Sequence, residues 1–278
     1  MNRDSVLLEV VDVEVNDLVR QHYGGAELEE VILRGVREAG IDTDQLTVDD
    51  LAPVDQLHAG FLPATRYLLE QLALRAETRL LDVGCGIGGP ARVAAALHSC
   101  PVVGIDLSPD FVRVAQSLTE RVGLSALVEH HVAAGGELDL EDASFDRAMM
   151  IHVGMNIPEK RPVFAEVRRV LRPGAMFGLF EQMRSHEGTL PYPLPWAEDV
   201  DSSFVSSPEE YVRDLEAAGF VVERTENRVG QIARASGPPP RLSPVAVFGP
   251  RFEERIANNI DATRDGLLVP VMMLARAR

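Results

Sequence analysis

A single lysine, Lys160, stands among 278 residues, and arginines supply the rest of the positive charge. With 43 acids against 27 bases the formal net charge is −16. Phosphate affinity is built from clustered lysine and arginine, so nucleic acid and anionic membrane surfaces have no electrostatic reason to bind this chain. No basic stripe interleaved with aromatics is present, and the scattered acidity serves solubility.

Cysteine is nearly as scarce. Cys85 and Cys100 make no disulfide framework and neither sits in a metal-ligand spacing, so no metal is expected. No apolar run reaches the length of a bilayer span, and Met1-Asn2-Arg3-Asp4-Ser5 lacks the apolar core of a signal peptide. The expected location is therefore the reducing cytoplasm. What remains is an ordinary soluble composition, 46% hydrophobic and 25% charged, in a chain long enough for one α/β domain with elaborations.

The chain is organised around Leu80-Leu81-Asp82-Val83-Gly84-Cys85-Gly86-Ile87-Gly88-Gly89. An apolar run breaks into glycines and then into Pro90-Ala91-Arg92-Val93-Ala94, which reads as a buried strand, a tight loop and a helix start. Glycines there let the backbone take positive φ and approach a ligand, and the helix N-terminus offers unpaired N–H groups. Gly84, Gly86 and Gly89 satisfy G-x-G-x-x-G, which taken alone is a weak signal.

Residues 1–62 read as a helical lead-in, with Leu28, Val31, Ile32 and Val36 at helical spacing and a second helix near Pro63 carrying Tyr67, Leu68, Leu69 and Leu72. Between them, Asp55-Gln56-Leu57-His58-Ala59-Gly60 is either a lid over a ligand mouth or a surface connection. From Thr78 onward strands and helices alternate at the pace of a parallel sheet with crossover helices. Strands are expected at about 78–84, 102–107, 126–133, up to His152, 175–183, 220–223 and 267–274. Pro270 in the last places it at an edge or a bulge. The expected fold is α/β, a Rossmann-like, doubly wound, mostly parallel seven-stranded sheet. Residues 1–62 form its helical lid, residues 63–278 the ligand-binding domain, and a substrate cap at about 184–206 and 225–265 precedes the last strand.

Two ligands compete for the glycine loop. A dinucleotide would place its pyrophosphate there, with Asp106 on the ribose. Asp82, two residues before the first glycine, instead points a carboxylate where a pyrophosphate would be repelled, and suits a ligand end bearing an ammonium group, as S-adenosylmethionine does.

Here the chain resembles a known family. Leu81-Asp82-Val83-Gly84-Cys85-Gly86-Ile87-Gly88-Gly89-Pro90 and Val103-Gly104-Ile105-Asp106-Leu107-Ser108 look like the first two motifs of class I S-adenosylmethionine-dependent methyltransferases. Ser144-Phe145-Asp146, His152-Val153-Gly154-Met155-Asn156-Ile157 and Val170-Leu171-Arg172-Pro173-Gly174 look like the later ones. Within that class the chain resembles bacterial enzymes grouped with sarcosine/dimethylglycine N-methyltransferases, through Ile87-Gly88-Gly89-Pro90, Met155-Asn156-Ile157, Phe180-Glu181-Gln182-Met183 and Pro193-Leu194-Pro195-Trp196.

The resemblance implies that Gly84, Cys85 and Gly86 pack against the methionine part of S-adenosylmethionine. It further implies that Asp82 meets the ammonium, Asp106 accepts both ribose hydroxyls, Leu107 packs on adenine and Ile151 borders the cofactor. Where the family places Gly-Asp after the third strand, this chain has Ala133-Ala134, so Ala134 fills the adenine slot without the usual acid and Glu137 or a backbone carbonyl is left to meet the amino group.

The resemblance also implies methyl transfer by in-line displacement to a small molecule, a secondary-metabolite scaffold or an amine. His152, at the end of the fourth strand, is a candidate general base. Glu181 is a candidate for attracting an amine acceptor. Tyr23 and Trp196 are candidate cleft walls, Tyr23 also a catalytic candidate, and His58 a candidate substrate contact. Ile232, Leu242, Val245, Val247 and Phe248 suggest an apolar acceptor. An alternative is a methyltransferase-like enzyme that binds the cofactor but catalyses a cyclisation or rearrangement. Neither acceptor nor oligomeric state is legible.

Overall fold

The computed structural model describes residues 28–234, 242 and 250–278. Tyr23, the Gly237-Pro238-Pro239-Pro240 stretch and Val245, Val247 and Phe248 lie outside the described residues.

Among the described residues, three helices precede the first strand. In α1 (Leu28–Glu38) the apolar spacing buries Leu28, Ile32, Leu33 and Val36. Helix α2 (Val48–Asp55) is not expected from the sequence, because Pro53 lies inside it. Its start is nonetheless written as a capping box: Thr47 Oγ1 accepts from the Asp50 amide at 3.2 Å and Asp50 Oδ2 accepts from the Thr47 amide at 2.9 Å. Helix α3 (Phe61–Leu72) buries Leu68, Leu69 and Leu72.

Strand and helix then alternate through β1 (Leu80–Val83), α4 (Gly89–His98), β2 (Val102–Asp106), α5 (Pro109–Arg121), β3 (Val128–Val132) and β4 (Phe145–Ile151). A single 3-10 turn, Gly154–Asn156, leads to α6 (Lys160–Val170), β5 (Leu171–Arg184), α7 (Pro208–Ala217) and β6 (Phe220–Asn227). Helices α8 (Val229–Arg234) and α9 (Pro250–Arg264) precede β7 (Leu268–Ala277). Ser108 and Ser207 cap α5 and α7, each followed by proline at the first turn.

The seven strands form one sheet in the order β3-β2-β1-β4-β5-β7-β6, parallel from β3 through β5, with β7 antiparallel to both its neighbours. The expected edge position of β7 is not what forms: β6 is the edge and β7 lies inside. Pro270 is tolerated because it sits where the β6 ladder ends, one residue past the Asn227–Val271 pair, and its carbonyl still accepts from the Arg228 amide at 2.8 Å.

Period-two alternation divides the core between the two faces. Leu81, Val83, Met150, Phe177 and Leu179 pack with Phe164, Val167 and Tyr211 on one side. Leu80, Met149, Ile151 and Phe180 pack with Leu68, Leu69, Ala91 and Ala94 on the other. The strand order reverses between β1 and β4, and the crevice beyond their carboxyl ends is where open α/β sheets take ligands.

Candidate active site

That crevice is a cavity of about 640 Å³, lined by the loop after β1, the ends of β2 and β4, the segment after β3 and the turn before α3. Gly84, Gly86 and Gly88 all have positive φ, at 71°, 54° and 82°. A side chain at Gly84 would overlap the isopropyl group of Val153, so only glycine lets this loop close on the turn after β4, whereas at Gly86 nothing lies within 4 Å. The loop is pinned to β2: the Gly84 and Cys85 amides donate to the Ile105 carbonyl at 2.8 and 2.9 Å, and the Gly86 amide donates to Asp106 Oδ2 at 2.9 Å.

Two acids sit at this junction. Asp106 Oδ1 also accepts from the Ser108 amide at 2.9 Å, and burial raises its pKa against those backbone bonds. Asp82 is fully enclosed, its Oδ2 lacks a hydrogen-bond partner, and burial together with the Asp106 charge pushes its pKa up to about 8. A buried carboxylate oxygen left bare is costly unless something positive completes it.

Family comparison points the same way. A family described as a methyltransferase domain matches residues 81–179, a stretch that spans both glycine loop and β4. Residues 81–179 thus match a methyltransferase domain. The methyltransferase phqN of Penicillium fellutanum is 31% identical over 131 residues, covering 47% of this chain and 40% of that protein. The chain thus spans less than half the length of that curated relative. Among solved structures, the [4+2]-cyclase SpnF is 26% identical with a TM-score of 0.62, over 77% of this chain and 79% of that one. The geranyl diphosphate C-methyltransferase of Streptomyces coelicolor A3(2) shares the fold at 16% identity, with a TM-score of 0.67 over 95% and 98% of the two chains.

The chain's own residues fit S-adenosylmethionine as the group this cavity would hold. Asp106, which lines the cavity, keeps lone pairs for the ribose diol, and the space at Gly86 admits the ligand beside the backbone; Asp82, with one bare oxygen, is buried next to the loop and does not itself line the cavity. Leu107, Ala134, Glu137, Cys85 and Ile151 all line the cavity.

Residues after β4 and residues of the lead-in meet in the cavity wall. His152 follows β4 with φ of 54°, a left-handed conformation that aims its ring into the crevice, and its amide donates to the Phe180 carbonyl at 2.8 Å. Its ring centroid lies 5.8 Å from that of His58 and 5.2 Å from that of Phe180. His152 Nε2 has no partner, and burial, then the neighbouring His58, holds its pKa well below the usual imidazole range. His58 is likewise lowered, to about 4, by burial. Both rings are therefore neutral at physiological pH.

Glu181 and Trp196 sit elsewhere. Glu181 alternates with Phe180 and so points to the opposite sheet face, where Val153 and Gly154 donate their amides to its carboxylate at 3.1 Å. Burial pushes its pKa up to about 8. Trp196 packs with Met155, Leu190, Leu194 and Leu268, and its indole N–H donates to Ser203 Oγ at 3.0 Å. Neither lines the cavity. Asn156 does, although the sequence marks it only by its place in a motif; its Nδ2 donates to the Val153 carbonyl at 3.3 Å while Oδ1 is buried without a partner.

Proposed function

We propose that this chain is an enzyme that transfers a methyl group from S-adenosylmethionine to a small, uncharged, largely apolar acceptor by in-line displacement. The observation that carries the reading is the cavity at the ends of β1 and β2, where Gly86 faces open space and its amide is held by Asp106. Once bound, the cofactor supplies a sulfonium methyl already activated toward nucleophiles. The residues around it hold the acceptor in line and exclude water.

The acceptor class follows from the charge of the cavity wall. Its described lining carries acids, Asp55, Asp106, Glu137 and Glu159, and two neutral histidines, but neither lysine nor arginine. A diphosphate like the geranyl diphosphate for which the Streptomyces coelicolor relative is named needs cationic partners that this wall does not offer. Leu57, Phe111, Ile157, Pro158 and Pro162 supply apolar surface instead. His152, with so low a pKa, is a weak base, so it orients an acceptor by taking a hydrogen bond at Nε2 rather than by removing its proton in advance. That suits an acceptor that is nucleophilic while neutral, a weakly basic amine on a secondary-metabolite scaffold. We infer a cytoplasmic enzyme without a nucleic-acid partner, a reading supported by its buried free thiols Cys85 and Cys100 and its acidic net charge.

The test is incubation with methyl-labelled cofactor and a panel of neutral amines, phenols and indoles, read by product mass. A gain of one methylene on a neutral amine is expected; tight cofactor binding with no methylated product across the panel overturns the reading. A second reading, cyclisation or rearrangement beside a bound cofactor, is favoured by the absence of a strong base at the acceptor end and by the likeness to SpnF. It predicts a product of unchanged mass.

A further inference from the structure

Behind the acceptor wall runs a buried polar chain that no part of the proposed chemistry uses. Arg92 of α4 donates from Nη2 to Asp55 Oδ2 at 2.9 Å, both side chains fully buried. Asp55 Oδ1 accepts from Gln56 Nε2 at 2.8 Å, which fixes the orientation of that amide and turns Gln56 Oε1 toward Thr65. Thr65 Oγ1 lies 2.6 Å from Gln56 Oε1 and 2.9 Å from His58 Nε2. A hydroxyl has one proton to give, and the amide oxygen is purely an acceptor, so Thr65 donates to Gln56 and accepts from His58. That arrangement places the His58 proton on Nε2, which also lies 3.4 Å from Gln56 Oε1, and sets an unprotonated Nδ1 against the Ala59 carbonyl, the acceptor that favours the other tautomer.

The chain is joined to the cofactor loop at its far end. The Arg92 amide donates to the Gly88 carbonyl at 3.0 Å, and a side chain at Gly89 would overlap the Asp55 carbonyl and the Gln56 amide. Glycine at 89 is thus what lets the Asp55–Gly60 segment wedge against the start of α4, and the ion pair holds it there. All of Asp55, Gln56, His58, Thr65 and Arg92 are buried. Apart from Arg92 Nε, which has no partner, the polar side-chain atoms of this buried network are paired, and such pairing favours one geometry.

We propose that Arg92, Asp55, Gln56 and Thr65 are positioning residues that lock the His58 ring, with its proton on Nε2, against His152 in the acceptor wall, and tie that wall to the cofactor loop. The consequence for an acceptor rests on the methyltransferase reading; the proton's position does not. Nδ1 of His58 lies 3.1 Å from the Ala59 carbonyl, so a proton displaced from Nε2 has a partner waiting there.

Imidazole nitrogen shifts of His58, measured by NMR on the full chain, test the relay without any substrate. The wild type is expected to show the Nε2–H tautomer. Gln56→Leu removes the acceptor that draws the Thr65 proton, so Thr65 turns to donate to Nε2 and the His58 proton moves to Nδ1. Thr65→Val, nearly isosteric, removes the 2.9 Å acceptor and leaves Nε2 only Gln56 Oε1 at 3.4 Å, so it shifts the proton toward Nδ1 and the Ala59 carbonyl should Gln56→Leu fail to fold, and Thr65→Ser keeps the wild-type tautomer. With a methylated acceptor in hand, Thr65→Val raises the acceptor KM about tenfold while the cofactor Kd stays within about twofold. An Nδ1–H tautomer in the wild type, or one that ignores these substitutions, overturns the relay. An intact tautomer pattern with no methyl transfer to any acceptor overturns the functional reading and leaves the relay standing.

Discussion

Asp106 and Gly86 are bound to each other across the cavity mouth, the glycine amide donating to Oδ2 at 2.9 Å while Oδ1 takes the Ser108 amide. One carboxylate therefore ties together the turns that follow β1 and β2. With about four acceptor positions it retains capacity for a vicinal diol. Asp106→Ala is expected to weaken S-adenosylmethionine binding by about 2 kcal/mol, roughly thirtyfold in Kd, as measured by calorimetry.

Asp82 makes the free protein sensitive to pH. Its pKa rises from 3.8 to about 8 on folding, so between those values the folded chain holds a proton that the unfolded chain has lost. Stability is then greatest in acid and falls as pH rises toward 8, and Glu181, raised from 4.5 to about 8, adds in the same direction. Thermal melting between pH 5 and about 8 should show that decline, less steep in Asp82→Asn. Cofactor binding pairs the ionised form with an ammonium, so affinity should rise over the same range in the wild type and lose that dependence in Asp82→Asn.

The glycines of the loop differ in what they cost to replace. Gly84→Ala combines a left-handed backbone with overlap on Val153 and should lower unfolding free energy by about 3 kcal/mol in urea denaturation. Gly86→Ala costs only its backbone conformation, about 1 kcal/mol, because its methyl group enters open space. There it should cut cofactor affinity far more than stability.

Glu181 holds the Val153–Gly154 turn through two backbone amides. Glu181→Ala leaves those donors without an acceptor and should destabilise the fold by roughly 2–3 kcal/mol, read by denaturation. An unchanged stability with a raised acceptor KM would instead place the carboxylate on the acceptor.

Much of this architecture is legible in the sequence because it is local. The apolar-to-glycine break at Gly84, the Ser-Pro helix starts at 108 and 207, and the acid closing β2 each express a rule spanning a few residues. Helix α2 is hidden by Pro53 although Thr47 and Asp50 announce it. The face taken by Glu181 depends on the strand phase of β5 relative to the crevice, which the unbroken apolar run before it, Leu179 and Phe180 included, conceals. The relay to His58 joins residues 55, 56, 65 and 92 from separate elements, and no spacing rule connects them.

The central claim is that the crevice beyond β1 and β2 binds S-adenosylmethionine through Asp82 and Asp106. Calorimetric titration of the wild type and of Asp106→Ala and Asp82→Asn with S-adenosylmethionine tests it most directly. One site per chain, weakened in both variants, is the predicted result; no binding by the wild type, or equal binding by all three proteins, would contradict it.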